Sequence, residues 1–150
     1  MPSIDTRFGT LEYNEEARLE FPWGIPGFEE YRWFVLVDQP ANRPVVFLQS
    51  LEKSDLCFMT LPIADIAPDY RLKILAEDLE RLGLDGSRDP EPWEVLTLAI
   101  LSASEGEGPN VNLLGPIVVN RFTRTALQAI RDDSAYSARH PLVAEGAPCS

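Results

Sequence analysis

Few side chains in this sequence have a type and spacing that could do chemistry. The one histidine, His140, stands between Arg139 and Pro141. General acid–base catalysis needs a base with an orienting partner in reach, and no second histidine supplies the pairing of a zinc helix. Cys57 and Cys149 are too far apart in sequence for a zinc-binding pair. Cys57 lies in the apolar run Leu56-Cys57-Phe58-Met59 and reads as a small buried hydrophobe, and a disulfide between the two cysteines is not expected. The carboxylates of Glu77-Asp78-x-Glu80 read as the wet side of a helix, and Asp132-Asp133 as part of a turn. The loop Gly106-Glu107-Gly108 is too short and too acidic to cradle a phosphate. Gly-x-Ser-x-Gly, Walker and dinucleotide-binding patterns are missing from the sequence. The residues therefore offer no catalytic, cofactor or metal constellation, and the expectation is a binding protein rather than an enzyme.

Charge narrows the partners. The chain carries 13 Lys and Arg against 24 Asp and Glu, a net charge of −11, with the acid spread over both halves. Direct nucleic-acid binding is disfavoured because phosphate recognition needs a basic stripe. A basic protein partner is favoured, through faster encounter and salt-sensitive affinity; the plain alternative is that the charge serves solubility. No stretch approaches the roughly 18 apolar residues of a membrane span. The opening Met1-Pro2-Ser3-Ile4-Asp5 lacks a basic-then-apolar signal, so the chain reads as cytoplasmic.

The elements that must position any binding surface are mostly strands. At 150 residues the chain reads as one domain. Its apolar runs are short, β-branched or aromatic, and bounded by Pro, Gly, Asn or Asp. Leu11–Tyr13 and Ala17–Phe21 flank Asn14-Glu15-Glu16 and read as a hairpin. Trp33–Val37, Val45–Leu48 and Leu56–Leu61 are apolar at nearly every position, as in strands buried on both sides. Trp93–Leu101 and Val111–Asn120 read as two longer late strands, and Tyr70, Leu72 and Ile74 as a short one. One helix is expected, from Leu75, Leu79 and Leu82 at i, i+4 and i+7 with Gly83 closing it. The fold class is therefore all-β and mainly antiparallel: a small β-barrel-like single domain with one short helix.

The most unusual string is Phe21-Pro22-Trp23-Gly24-Ile25-Pro26-Gly27-Phe28-Glu29-Glu30. Its Pro and Gly residues define a backbone path that aims large apolar side chains. With Tyr31 and Trp33 it gathers aromatics that suit either a binding surface or the mouth of a barrel. Its rigid turns and buried-type residues favour a framework.

In order, Thr6-x-Phe8-Gly9 with Glu12, the Phe21–Glu29 string, Leu48-Gln49-Ser50-Leu51-Glu52, Asp55-Leu56-x-Phe58, Pro68-Asp69-Tyr70, Val111–Asn120, Gln128 and Tyr136-x-x-Arg139 resemble the bacterial flagellar assembly factor FliW family. Asn110 stands where that family usually has Thr, and Gly115 where it often has Ala. The resemblance implies a β-barrel-like domain over residues 1–142, a loosely ordered tail over 143–150, and no enzymatic activity. It implies two partners: flagellin, held before export, and CsrA, a basic RNA-binding repressor of flagellin translation, antagonised allosterically. A flagellin-specific chaperone without a translational role is the alternative. Partner contacts are expected on polar positions beside the matched strings: Gln49, Ser50, Glu52 and Asp55 in one turn region, Asp69 and Tyr70 after a proline, and Asn112 and Asn120 at the ends of a late strand. The other reading of the Asn pair is turn capping through side-chain-to-backbone bonds.

Overall fold

A computed structural model describes residues 2–6, 9–102, 108–131 and 137–142. Eleven strands are seen among them: β1 Ser3–Thr6, β2 Gly9–Glu12, β3 Leu19–Glu20, β4 Trp33–Asp38, β5 Val46–Ser50, β6 Cys57–Pro62, β7 Val95–Ser102, β8 Asn110–Val111, β9 Ile117–Asn120, β10 Ala126–Gln128 and β11 His140–Pro141. Two short helices accompany them, α1 Ile63–Ile66 and α2 Ala76–Arg81. The main sheet runs β10-β9-β7-β6-β5-β4-β3, every ladder antiparallel, with β8 continuing from β7 and β11 pairing β8. The sheet curls until its two ends meet at a single bridge, Glu20 to Thr125, where the Glu20 N–H donates to the Arg124 carbonyl at 3.0 Å. It does not close into a continuous barrel. The expected all-β antiparallel class is what the chain adopts.

The central strands are apolar on both faces because both faces are covered. Phe34 and Leu36 of β4, Leu48 of β5, Leu98 of β7 and Ile117 and Val119 of β9 fill the concave side with Leu19, Phe21 and Ile25. Val35, Val37 and Phe47 point the other way, under Leu11, Tyr13 and Ala17. Val95, Val118 and Leu127 lie under Leu79 and Leu82 of α2, and Leu61 and Ala99 beside Ile63 of α1. Each fully buried side chain of this size contributes roughly 1.5–3 kcal/mol, so each cover is held firmly.

The N-terminal hairpin is not the expected one. β1 pairs β2 as a separate two-stranded sheet, and β3 pairs β4 through Leu19 and Phe34. Between them Glu15–Ala17 forms a 3₁₀ turn whose start is capped by Asn14: its side-chain oxygen accepts from the Glu16 N–H at 2.8 Å. That turn sends Ala17 to the outer face and Leu19 to the inner one. Residues 70–74 are also not a strand. Only Ile74 bridges, to Arg131, and Lys73 holds a φ of 40°. The Arg131 guanidinium takes the carbonyls of Arg71 and Leu72, in place of strand partners. Val111–Asn120 splits into β8 and β9, because the Asn112 side chain accepts from the N–H groups of Leu114 and Gly115 and folds the chain into a turn before Pro116. Residue 115 is tightly enclosed: a Cβ there would come within 3.1 Å of the side-chain amides of Asn112 and Gln128.

α2 ends as the sequence predicts. The Gly83 N–H donates to Glu80 and the Leu84 N–H to Leu79, both at 2.9 Å, with Gly83 at φ 80°. The four-residue α1 is a second helix, which the expectation of one helix omitted. The tail 143–150, Cys149, Asp132-Asp133, Tyr136 and the Gly106–Glu107 loop lie outside the described residues.

In the Phe21–Glu30 corner three turns follow one another: Gly24 N–H to Phe21 O, Phe28 N–H to Ile25 O and Tyr31 N–H to Phe28 O, at 2.8, 2.7 and 3.0 Å. Phe21 meets Phe34 edge-on at 5.1 Å and Phe28 meets Phe58 at 5.3 Å. Gly24 has φ 71°, and a Cβ there would sit 2.4 Å from the Glu29 Cα. Gly24→Ala should therefore lose about 1–3 kcal/mol from backbone strain alone, with the clash adding to it. Thermal unfolding measures this; an unchanged melting temperature would show that the corner relaxes freely.

Candidate protein-interaction surface

Gln49, next to last in β5, has no exposed surface. Its Nε2 donates to the carbonyls of Ser50, Ser54 and Leu56 at 3.0, 3.1 and 3.2 Å. Ser50 is equally buried, and its hydroxyl oxygen accepts from the N–H groups of Glu52 and Lys53, both at 3.0 Å. These two residues tie the β5–β6 turn from within. Glu52 is exposed, and its Oε1 accepts from the N–H groups of Arg32 at 2.6 Å and Trp33 at 3.1 Å. That carboxylate joins the turn to the aromatic corner. Asp55 is exposed and lies 3.0 Å from Lys53. This bond holds the Lys53 ammonium above its ordinary pKa, with the charges of Asp55, Tyr31 and Glu30 adding to the effect. Glu29 is held below the usual carboxylate range by hydrogen bonds from backbone amides, that of Gly27 first. The fold thus gathers Glu30, Glu52 and Asp55, from two separate strings, around Lys53, with Glu29 exposed next to Glu30, into one exposed edge on which acid outnumbers base.

The other predicted positions separate from this edge. The Tyr70 hydroxyl donates to the Leu113 carbonyl at 2.6 Å, and the Arg131 guanidinium lies 5.0 Å from its ring. Tyr70 and the Asn112 turn are therefore neighbours, holding the segment after α1 against the β8–β9 connection. Asp69, beside Tyr70, is exposed. Asn120 is 3% exposed. Its Nδ2 donates to the Leu82 carbonyl at the end of α2, and its Oδ1 accepts from the N–H groups of Phe122 and Thr123. The side chains of Gln49, Ser50 and Asn120 thus face the interior. Asn112 and Asn120 both cap turns.

Exposed aromatics are the features that sequence reasoning missed. Trp93 is 65% and Phe122 is 74% exposed, at the same end of the β7–β9 pair. The Arg121 N–H donates to the Glu94 carbonyl between them at 3.0 Å. Their flanks carry the signal that neither ring sits in a strand interior: Trp93 follows Pro92, which interrupts a strand, and Phe122 lies between the polar Arg121 and Thr123. Trp23 is 45% exposed with the Arg81 guanidinium 5.3 Å from its ring. Phe28 and Tyr31 are half-buried against the core.

Among the described residues, no group of three or more His, Cys, Asp or Glu side chains could hold a metal ion. His140 is half-buried in β11, paired with Val111. No helix among them is long and apolar enough to cross a membrane.

A curled antiparallel sheet with short helical covers and rigidly tied polar turns defines a small single-domain all-β protein whose exposed turns form its most distinctive surface. The FliW protein family model matches residues 3–142, and the chain belongs to that family. It is similar to the flagellar assembly factor FliW of Desulfitobacterium hafniense (strain DSM 10664 / DCB-2), 37% identical over 93% of this chain and 90% of that protein. It is likewise similar to the flagellar assembly factor FliW of Bacillus subtilis (strain 168), 33% identical over 95% and 97%. The crystal structure of the flagellar assembly factor FliW superposes with a TM-score of 0.80 at 31% identity, covering 95% of this chain and 97% of the other.

The tie formed by Gln49 can be separated from the charge of the turn. Gln49→Ala should lower unfolding stability by about 1–3 kcal/mol, because carbonyls that it satisfies lose their donor. Asp55→Ala in the same turn should change it by less than about 0.5 kcal/mol. Urea denaturation compares the two, and equal effects would show that Gln49 is not the fastener.

Proposed function

We propose that this chain is a cytoplasmic, non-enzymatic flagellar assembly factor. It binds flagellin and, when flagellin is exported, binds and allosterically antagonises the basic RNA-binding repressor CsrA, so that flagellin translation follows flagellin demand. Family membership supports the flagellar role. The observation that carries the binding mode is the exposed acidic edge of Glu29, Glu30, Glu52 and Asp55 in a chain of net charge −11. An RNA-binding repressor needs basic surface, and opposite charge raises encounter rates roughly 10- to 1000-fold at low salt. The edge rests on a corner held by backbone hydrogen bonds, so docking there orders little new chain.

Titrating the protein with CsrA, with and without flagellin, is the direct test: each partner should weaken the other. Failure to bind either at moderate salt would end this reading. Asp55→Lys should slow CsrA association several-fold and flatten its salt dependence. Asp55 is the better probe than Glu52, whose carboxylate also holds the Arg32 and Trp33 amides. An unchanged rate and salt slope would place the contact elsewhere.

A second reading, a flagellin chaperone without effect on translation, is favoured by the exposure of Trp93 and Phe122, which suits cover for an apolar segment. Repression of a flagellin message by CsrA should then be indifferent to added protein.

A further inference from the structure

The main sheet has a gap in its wall. β6 pairs β7 only over Thr60–Pro62, against Leu98–Ile100. Pro62 has no N–H to extend the ladder, and the chain turns away there into α1. β7 begins three residues earlier, so Val95–Thr97 is paired with β9 on one side and with no strand among the described residues on the other. Hydrogen-bond directions alternate along an antiparallel strand. Glu94 and Ile100 offer their carbonyls toward β9 and β8, to the N–H groups of Arg121 and Asn112. Val95 and Thr97, of opposite parity, therefore present their backbone groups to the vacated side. A cleft of about 950 Å³ lies there, between the segment 62–72 and the loop 89–92.

The chemistry of this cleft is one-sided. Pro62, Pro68, Pro90 and Pro92 form much of its rim and have no N–H to offer. The Val95 carbonyl is taken by Arg121 Nε at 2.9 Å. What remains toward the vacated side is the pair of N–H groups of Val95 and Thr97, together with the Thr97 carbonyl. The two N–H groups are two residues apart, a spacing of roughly 7 Å that matches alternate carbonyls of an extended chain. The lining carboxylates Asp69, Asp89 and Glu91 outnumber the lining cations Arg71 and Arg121, and Arg121 is held in place on the carbonyls of Pro92 and Val95, so the lining is acidic by one charge. A second copy of this acidic chain would be repelled.

We infer that this cleft is a docking groove for an extended, basic peptide segment of a partner protein, which accepts hydrogen bonds from the Val95 and Thr97 amides in the line that β6 vacates. Three paired residues make a short, shallow addition to the sheet, and the prolines around it discourage unselective edge pairing. The groove lies at the end of β6 opposite the acidic edge, so the inference stands apart from the identities of flagellin and CsrA.

The test uses the ¹⁵N-labelled full chain and two capped synthetic peptides, Lys-Val-Lys-Thr-Lys-Val-Lys and its counterpart with Glu in place of Lys. Without peptide, the Val95 and Thr97 amides should exchange at least about tenfold faster than those of Leu96 and Leu98, which face β9. The basic peptide should shift and protect Val95 and Thr97, and the acidic one should not. Thr97→Pro removes one donor on the groove side without touching the β9 ladder, and should weaken the basic peptide about tenfold. Asp69→Lys should also weaken it, without touching the backbone. The inference is overturned if the Val95 and Thr97 amides are already as protected as their neighbours, if basic and acidic peptides behave alike, or if the shifts map to another face.

Discussion

The central strands of this sheet carry apolar side chains on both faces, and neither face can be left to water. Phe34 and Leu36 look inward while Val35 and Val37 look outward from the same strand. At roughly 25 cal/mol for each Å² of apolar surface, an uncovered outer face would forfeit much of the stability of so small a domain. The sheet closes its concave side by curling. The convex side needs separate covers, which are the segment around Tyr13, α1 and α2. The connections between strands are therefore largely taken up by burial, and the tight turns, the ends of the sheet and the gap beside β7 are left to meet a partner.

The helical covers are fastened by polar side chains that reach from one element to the backbone of another. Asn120 holds the end of α2, and Tyr70 and Arg131 hold the segment between the helices. Glu52 holds the aromatic corner to the β5–β6 turn, and Gln49 holds that turn to itself. In a low-dielectric setting such bonds are strong when made and costly when missing. They specify one arrangement of pieces that apolar packing alone would leave free to slide. A surface set on this frame can recognise a partner without first being ordered by it.

The acidic surface has the same logic. Strings that lie far apart in the chain, Glu29-Glu30 and Glu52-x-x-Asp55, become one edge because Glu52 binds the backbone of Arg32 and Trp33. Charge that is spread evenly through the sequence is thus concentrated by a single structural contact. The aromatic corner itself, despite its rings, is mostly framework: Phe21 and Ile25 are buried, and among its described aromatics Trp23 is the most open to solvent.

Local chemistry was enough to determine the all-β class, the stop of α2 at Gly83 and the rigid corner at Phe21–Glu30. Each follows from a property of neighbouring residues: β-branching, the left-handed conformation open to glycine, the restricted torsions of proline. Periodicity also identified strands buried on both sides, but not what would cover them. It assigned Leu11–Tyr13 a hairpin partner that the Asn14 cap sends elsewhere; Gln49, Ser50 and Asn120 are expected at a partner surface because they are polar and lie beside the matched strings, with turn capping as the other reading of Asn120. Only the tertiary structure decided that these three face inward: Asn120 reaches the distant Leu82 carbonyl, while Gln49 and Ser50 bond the backbone of their own turn beneath the packed sheet. It alone exposed Trp93 and Phe122, and it alone left β7 unpaired where Pro62 turns away. The physical reason is that a residue's neighbours in sequence set its backbone preference, whereas its burial and its hydrogen-bond partners are set by segments that arrive from elsewhere in the chain.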